Sequence, residues 1–329
     1  MKKVSIILAS LLCGWINLSA QQKINVQNGT KTAFYNDLET AVHEAVSGDT
    51  IYLPGAIIEL QNHLVIDKKL TLIGAGWDID SIGGLRPTQL KIKTGSWANL
   101  TFSVGSDGSF ITGFYVNGIG FDNNAALSVA NVTIARIAAA GISLGAGVSN
   151  IYIRESYITS SGLNGAGATD CWINNNIIIG TIHSLVDSHL YNNVFNYYVG
   201  GTRCVFENNY IGGGLTTSSS STFNNNAFSG NITFPTGDNN NGFDNLVNQP
   251  HAGSFTGGDW TPKSLKLKST SPLKNAGTDG SDIGMYGGND PYKEGAVPFN
   301  PHIDEIVVSS ITDKTGNLKV RMQVSSQNK

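Results

Sequence analysis

Charge is scarce in this chain of 329 residues: Asp, Glu, Lys and Arg make up only 14% of it, 24 acidic against 21 basic. A formal charge of −3 without a basic cluster leaves no footprint for the phosphates of nucleic acid or for an anionic membrane surface. Cysteine is nearly absent too, three residues in all, so no disulfide framework carries the fold. Beyond the first twenty residues no apolar run approaches the ~18 residues of a membrane-spanning helix. No Gly-rich phosphate cradle and no Cys-x-x-Cys pair occurs, which removes nucleotide binding and dithiol redox chemistry as sequence-led readings.

The first twenty residues have the three-part build of an export signal. Lys2 and Lys3 give the positive start, Val4 to Leu12 the apolar stretch, and Leu18-Ser19-Ala20 a small-residue cleavage site before Gln21. Cys13 invites a lipoprotein reading, but Leu12 stands where lipid attachment wants a small residue. Residues 1–20 are therefore set apart, and the expected location is periplasmic, cell-surface or extracellular. The two leader lysines come off the 21 basic residues while the 24 acidic ones stay, so the formal charge moves from −3 to −5.

What the chain does have is 39 glycines and an internal repeat. Segments beginning at Tyr152, Trp172, His189, Val205 and Thr222 share the order apolar, any, polar, Asn, any, apolar, and their anchors Ile153, Ile173, Leu190, Phe206 and Phe223 are 20, 17, 16 and 17 residues apart. That is too short for a strand–helix–strand unit of roughly 30 residues. A coil of this length, with very short strands and tight polar turns, can stack on itself at the ~4.8 Å strand spacing and bury its inward side chains against its neighbours. Asn176, Asn193, Asn209 and Asn226 fall at one point of four successive coils, where a tight turn tolerates left-handed backbone and stacked amides can form a ladder. The anchors continue backward through Ile134 and Val116, and earlier strands are read at Thr50 to Leu53 and Leu70 to Ile73. Cys171 and Cys204 point inward two coils apart, about 9.6 Å by the strand spacing, so they are expected to be free buried thiols.

Open coil ends expose unpaired strand edges. Residues 36–47, with Leu38, Ala41, Val42 and Ala45 at helical spacing, predict an N-terminal capping helix. Trp260 to Leu267 and Ser271 to Leu273 read as strands finishing the stack. This gives a solenoid over residues 21–290, then over 291–329 a linker marked by Pro291, Pro298 and Pro301 and a C-terminal β-hairpin tail.

Three stretches together resemble a known family: Asp49-Thr50-Ile51-Tyr52-Leu53-Pro54 leading to Leu70-Thr71-Leu72-Ile73-Gly74, the Asn-Asn coils, and Ser271 to Gly277 with Asp282-Ile283-Gly284-Met285-Tyr286-Gly287-Gly288. They look like exported right-handed β-helix proteins of the pectate-lyase superfold, especially those of Bacteroidetes, over roughly residues 30 to 290. The resemblance implies an all-β fold, a single-stranded right-handed parallel β-helix with an N-terminal capping helix and a short C-terminal β tail. It is poor for activity, because this superfold hosts lyases, hydrolases, esterases, adhesins and proteins with no assigned reaction.

A calcium-dependent lyase site needs stacked carboxylates for the cation and a nearby Arg or Lys as base. The outward residues of the first-strand face, Ser143, Thr181, His183, Tyr198, Gly200, Thr216 and Thr233, include no carboxylate, so no cofactor is firmly predicted, and calcium stays open without a carboxylate cluster to support it. Asp170 and Asp187 share a place in adjacent coils with Arg203 next; with His183 they are the catalytic candidates, set against an ordinary solvated charge column. His183 and His189 are six apart near Asp187 but lack a third ligand, so no metal site is predicted. The second-strand face carries Tyr152, Trp172, His189 and Tyr191, an aromatic strip with polar neighbours that suits pyranose rings; stacking that only stabilises the sheet explains it as well. The sequence thus leads to a secreted protein that binds or processes polysaccharide, with a non-catalytic structural or adhesive surface protein as the alternative. It does not decide whether the protein is an enzyme.

Overall fold

A computed structural model describes residues 23–78, 86–122, 128–216, 218–234, 242–296, 302–308, 311–312 and 314–325; the leader expected over 1–20 lies outside them. The chain is an all-β parallel solenoid of about 9 turns. Short β-branched strands alternate with left-handed turn residues, so each coil is nearly closed after 16 to 23 residues, apart from the 39-residue step from Leu72 to Ile111, and pairs with the next.

Two long sheets result. Sheet A stacks Thr50–Tyr52, Thr71–Ile73, Phe110–Thr112, Thr133–Ala135, Tyr152–Arg154, Trp172–Asn174, His189–Tyr191, Val205–Glu207 and Thr222–Asn224 in parallel. Its inward column runs Ile51, Leu72, Ile111, Ile134, Ile153, Ile173, Leu190, Phe206, Phe223, all fully buried. Near its C-terminal end the column turns aromatic, with Phe206 and Phe223 stacked at 4.5 Å and 5°. Sheet B carries the longer strands, among them Tyr115–Phe121, Ala138–Ser143 and Tyr157–Asn164. Val116 belongs there, paired with Ala139, and Ile111 takes the place that the sequence reading gave to Val116. The coil between them is longer than its successors, and anchor spacing alone is ambiguous where the repeat length drifts.

The asparagines divide into two columns. Asn176, Asn193, Asn209 and Asn226 are fully buried and stand in single file, each backbone N–H donating to the next Oδ1 at 2.9–3.0 Å; Ser156 precedes the file and Asn245 extends it. Their backbones are not left-handed. That conformation belongs to the residues before them, Asn175, Asn192, Asn208 and Asn225, at φ 48 to 56°, where an amide side chain offsets part of the steric penalty. One residue makes the turn and its neighbour, turned inward, makes the ladder.

At the N-terminus a helix spans Leu38–Glu44, shorter than the expected 36–47, with Asp37 accepting from the Thr40 N–H at 2.7 Å. Ala45 leaves helical backbone because the chain must turn into the strand at Thr50. The exposed edge of sheet A is taken by a hairpin, Ile24–Asn28 with Lys31–Tyr35, whose first strand pairs antiparallel with Thr50–Tyr52; the helix packs beside it through Leu38, Ala41 and Val42.

The C-terminal region departs most from the sequence reading. Residues 251–296 do not add coils with strands at Trp260 to Leu267 and Ser271 to Leu273. They form a strap of three short helical segments, His251–Ser254, Pro262–Leu265 and Glu294–Ala296, and tight turns that runs back over the outside of the stack. Phe255, Leu265, Leu273, Ile283, Met285 and Tyr292 bury against Ile177, Val194, Tyr210 and Ala227, which face outward from successive coils of sheet B. Those outward apolar residues are why the strap folds back: left uncovered, they would form a continuous exposed patch. In the tail, His302–Val308 pairs antiparallel with Val320–Ser325.

Candidate functional site

The strap creates a concave site where it crosses the turn column beside sheet A. Three left-handed asparagines clasp it: Asn225 Nδ2 donates to Ala276 O at 3.0 Å, Asn208 Nδ2 to Thr278 Oγ1 at 3.1 Å, and Asn175 Nδ2 to the carbonyls of Met285 and Gly287 at 3.0 and 2.8 Å. The Thr278 N–H returns a bond to Asn208 Oδ1 at 2.9 Å, and its hydroxyl donates to Glu207. Gly287 and Gly288 allow the close approach, since a Cβ on either would lie 2.7 Å from Asn192 Nδ2.

Between strap and sheet lies a groove of about 350 Å³. One wall is sheet A, with Trp172, His189, Tyr191 and Glu207; the other is the strap, with Thr278, Asp279, Asn289 and Asp290. Three carbohydrate-binding candidates, Trp172, His189 and Tyr191, are therefore brought together. Tyr152, the fourth, is 41% exposed one coil away and outside the groove.

The aromatic strip is two columns, not one. Tyr152, Trp172 and His189 are in register on one side of the inward anchors; Arg154, Asn174, Tyr191 and Glu207 are in register on the other. Trp172 stacks on His189 at 4.3 Å and 9° and meets Tyr191 edge-on at 6.2 Å. One indole face is therefore covered; the other looks along the solenoid axis toward the coil of Tyr152, and Trp172 keeps 36% of its surface exposed. Burial, and secondarily the charge of Asp290, pushes the Tyr191 phenol up, so it stays a neutral hydrogen-bonding group. The hydroxyl and, less strongly, the N–H of Ser281 hold Asp279 below the usual carboxylate range.

The other candidates lie elsewhere. Asp170, Asp187 and Arg203 occupy a second left-handed turn column, φ 47 to 55°. Arg203 grips Asp187 with two bonds, Nε to Oδ1 at 2.7 Å and a terminal nitrogen to Oδ2 at 2.6 Å, both side chains half exposed, and this lowers the Asp187 pKa. A general acid needs the opposite shift. His183 is on sheet B, apart from His189 on sheet A, and its ring contacts the Ser184 hydroxyl at 3.0 Å. Among the described residues no three His, Cys, Asp or Glu side chains are arranged to hold a metal ion.

Gly141-Ile142-Ser143-Leu144-Gly145 has the spacing of a serine nucleophile elbow, but Ser143 ends a sheet B strand without the strained backbone or the following helix of that motif. His183 is two coils from it, beyond hydrogen-bond reach. The groove residues missed in the sequence are those of the strap, Glu207 and the turn asparagines Asn192 and Asn208. The only signal for the strap was the turn-rich Asp282–Gly288 stretch, whose role is to lay it against Asn175 and Asn192. Compared with protein-family models and with curated proteins, the sequence has no match in either.

Proposed function

We propose that the chain is an exported saccharide-binding protein whose site is the groove between sheet A and the strap, a diverged relative of the right-handed pectate-lyase superfold. The observation that carries this reading is the pairing of walls: an exposed indole and a neutral phenol on one side, and amide and carboxylate groups on the other. Pyranose rings present apolar C–H faces and hydroxyl edges, and such a cleft meets both. The groove supports binding over lyase chemistry, because among the described residues no Lys or Arg lines it to serve as base. The stack of Trp172 on His189 favours the second reading, a structural or adhesive surface protein, since it spends one aromatic face on the sheet itself.

The test is affinity electrophoresis of the mature chain through a panel of polysaccharides, with absorbance at 235 nm followed in parallel for unsaturated products. Retardation lost in Trp172→Ala supports the groove. Release of product makes the protein a lyase, and free migration through every gel leaves the scaffold reading standing.

A further inference from the structure

The groove's polar groups are lopsided in charge and in donor supply. Glu207, Asp279 and Asp290 line it, and among the described residues no lysine or arginine does. The nearest cation of sheet A, Arg154, stands two coils from Tyr191 in the same column and lies 3.8 Å from Glu155. The three carboxylates are only partly engaged: Glu207 accepts from the Thr278 hydroxyl, and Asp279 accepts from the Ser281 hydroxyl and from its N–H at 2.9 Å. Ionised carboxylates accept up to about four hydrogen bonds each, so the walls ask for donors.

Asn192 supplies an independent observation. It is the one member of the clasping column, Asn175, Asn192, Asn208 and Asn225, whose amide does not hold the strap, because Gly287 and Gly288 face it. It is 2% exposed and lines the groove, and its Nδ2 has no hydrogen-bond partner within the protein. A buried amide donor left without an acceptor is destabilising, so such a group is retained where something else satisfies it.

We propose that the groove takes a sugar residue without a carboxylate, neutral or amino-bearing, and that Asn192 donates a hydrogen bond to one of its oxygens. This rests on the saccharide reading above and narrows it. Hydroxyls or an ammonium donate to Glu207, Asp279 and Asp290 while a ring, hydroxyl or acetamido oxygen accepts from Asn192. A uronate would place a fourth carboxylate among three, with no lysine or arginine among the described lining residues to meet it.

Isothermal titration of the full mature chain with neutral oligosaccharides, chitosan oligomers and oligogalacturonides, each with and without calcium, tests this. Binding of the first or second class at least ~10-fold tighter than the uronates is expected. Asn192→Asp keeps the left-handed turn but replaces the donor with an acceptor, and should weaken the preferred ligand by ~10-fold or more, about the loss of one hydrogen bond. Asn150→Asp, at a left-handed turn (φ 52°) in the other turn column and away from the strap, should not. Glu207→Gln combined with Asp290→Asn should bring uronate affinity closer to that of neutral sugars. Uronates binding as tightly as neutral sugars, or an unchanged affinity in Asn192→Asp, overturns the proposal while leaving saccharide binding intact. No binding of any class sinks both.

Discussion

Asn193→Ala is the sharpest test of what holds the coils in register. The side chain is fully buried and makes five hydrogen bonds. Its Oδ1 accepts from the N–H and the Nδ2 of Asn176, both at 3.0 Å, and its Nδ2 donates to Ile173 O at 2.7 Å, Tyr191 O at 3.1 Å and Asn209 Oδ1 at 2.9 Å. Truncation removes all five and leaves the buried Asn176 N–H and Asn209 Oδ1 each short of a partner. At about 1 kcal/mol per net bond, with part recovered by relaxation and part lost to the stranded groups, the expected destabilisation is about 4–6 kcal/mol, a large share of a domain's stability. Asn225→Gly is the contrast. Its φ of 48° suits glycine, and only the bond to Ala276 is lost, so about 1 kcal/mol is expected. Urea unfolding followed by far-UV circular dichroism compares the two, and amide exchange at Asn176 localises the effect even if the solenoid unfolds in parts. If Asn193→Ala unfolds within about 1 kcal/mol of the wild type, the ladder is a consequence of stacking and not one of its causes.

Burial raises both thiols, Cys171 and Cys204, to about 11, so Ellman's reagent should label neither in the native protein and both after denaturation; rapid native labelling would show that the coils open. Arg136 and Glu155 form a buried pair at 2.8 Å, so Glu155→Leu alone should cost about 3–5 kcal/mol in denaturant titrations and the double change with Arg136→Met clearly less; equal losses would mean that packing, not charge, is what the pair provides. Hydrogen bonds from Ser264 and Thr261 lower Asp259 to about 2, below its unfolded value. Its contribution is therefore present above about pH 4 and lost as pH falls toward 2, and Trp260 fluorescence should respond to acid at higher pH in wild type than Asp259→Asn responds, if it responds in the variant at all. Asn208→Gly keeps the turn at φ 56° but unclasps Thr278, so saccharide affinity in titration calorimetry should fall roughly 10-fold with little change in unfolding midpoint. Unchanged affinity there would remove the strap from the site.

The stack was legible because its signal is periodic. Asn176, Asn193, Asn209 and Asn226 repeat at 17, 16 and 17 residues, and any one coil repeats its neighbour's evidence. Within that period the sequence could not tell a turn asparagine from a ladder asparagine, since Asn192 and Asn193 are adjacent and equally suited to both. Trp172, His189 and Tyr191 could be placed on an outward face, but not that Trp172 would spend one ring face on His189. The strap was not legible. Its contacts, Asn208 to Thr278 and Asn175 to Met285, span 70 and 110 residues and occur once each, so no repeat reports them.

That difference bears on where function resides in such a fold. A regular solenoid face repeats the same surface at each step, which suits a long ligand but confines none. A pocket needs the repeat to be broken, and here the break is the strap, which meets the coils at left-handed asparagines and brings Asp279, Asn289 and Asp290 opposite Trp172 and Glu207. The coils fix the spacing of one wall to the strand repeat; the strap, anchored by Ile283 and Met285 on outward residues of sheet B, sets the other independently. Specificity can then change through a few strap residues while the buried columns stay as they are. Substitutions at Asp279 or Asp290 act on what the groove accepts, whereas substitutions at Asn193 or Ile173 act on whether there is a wall at all.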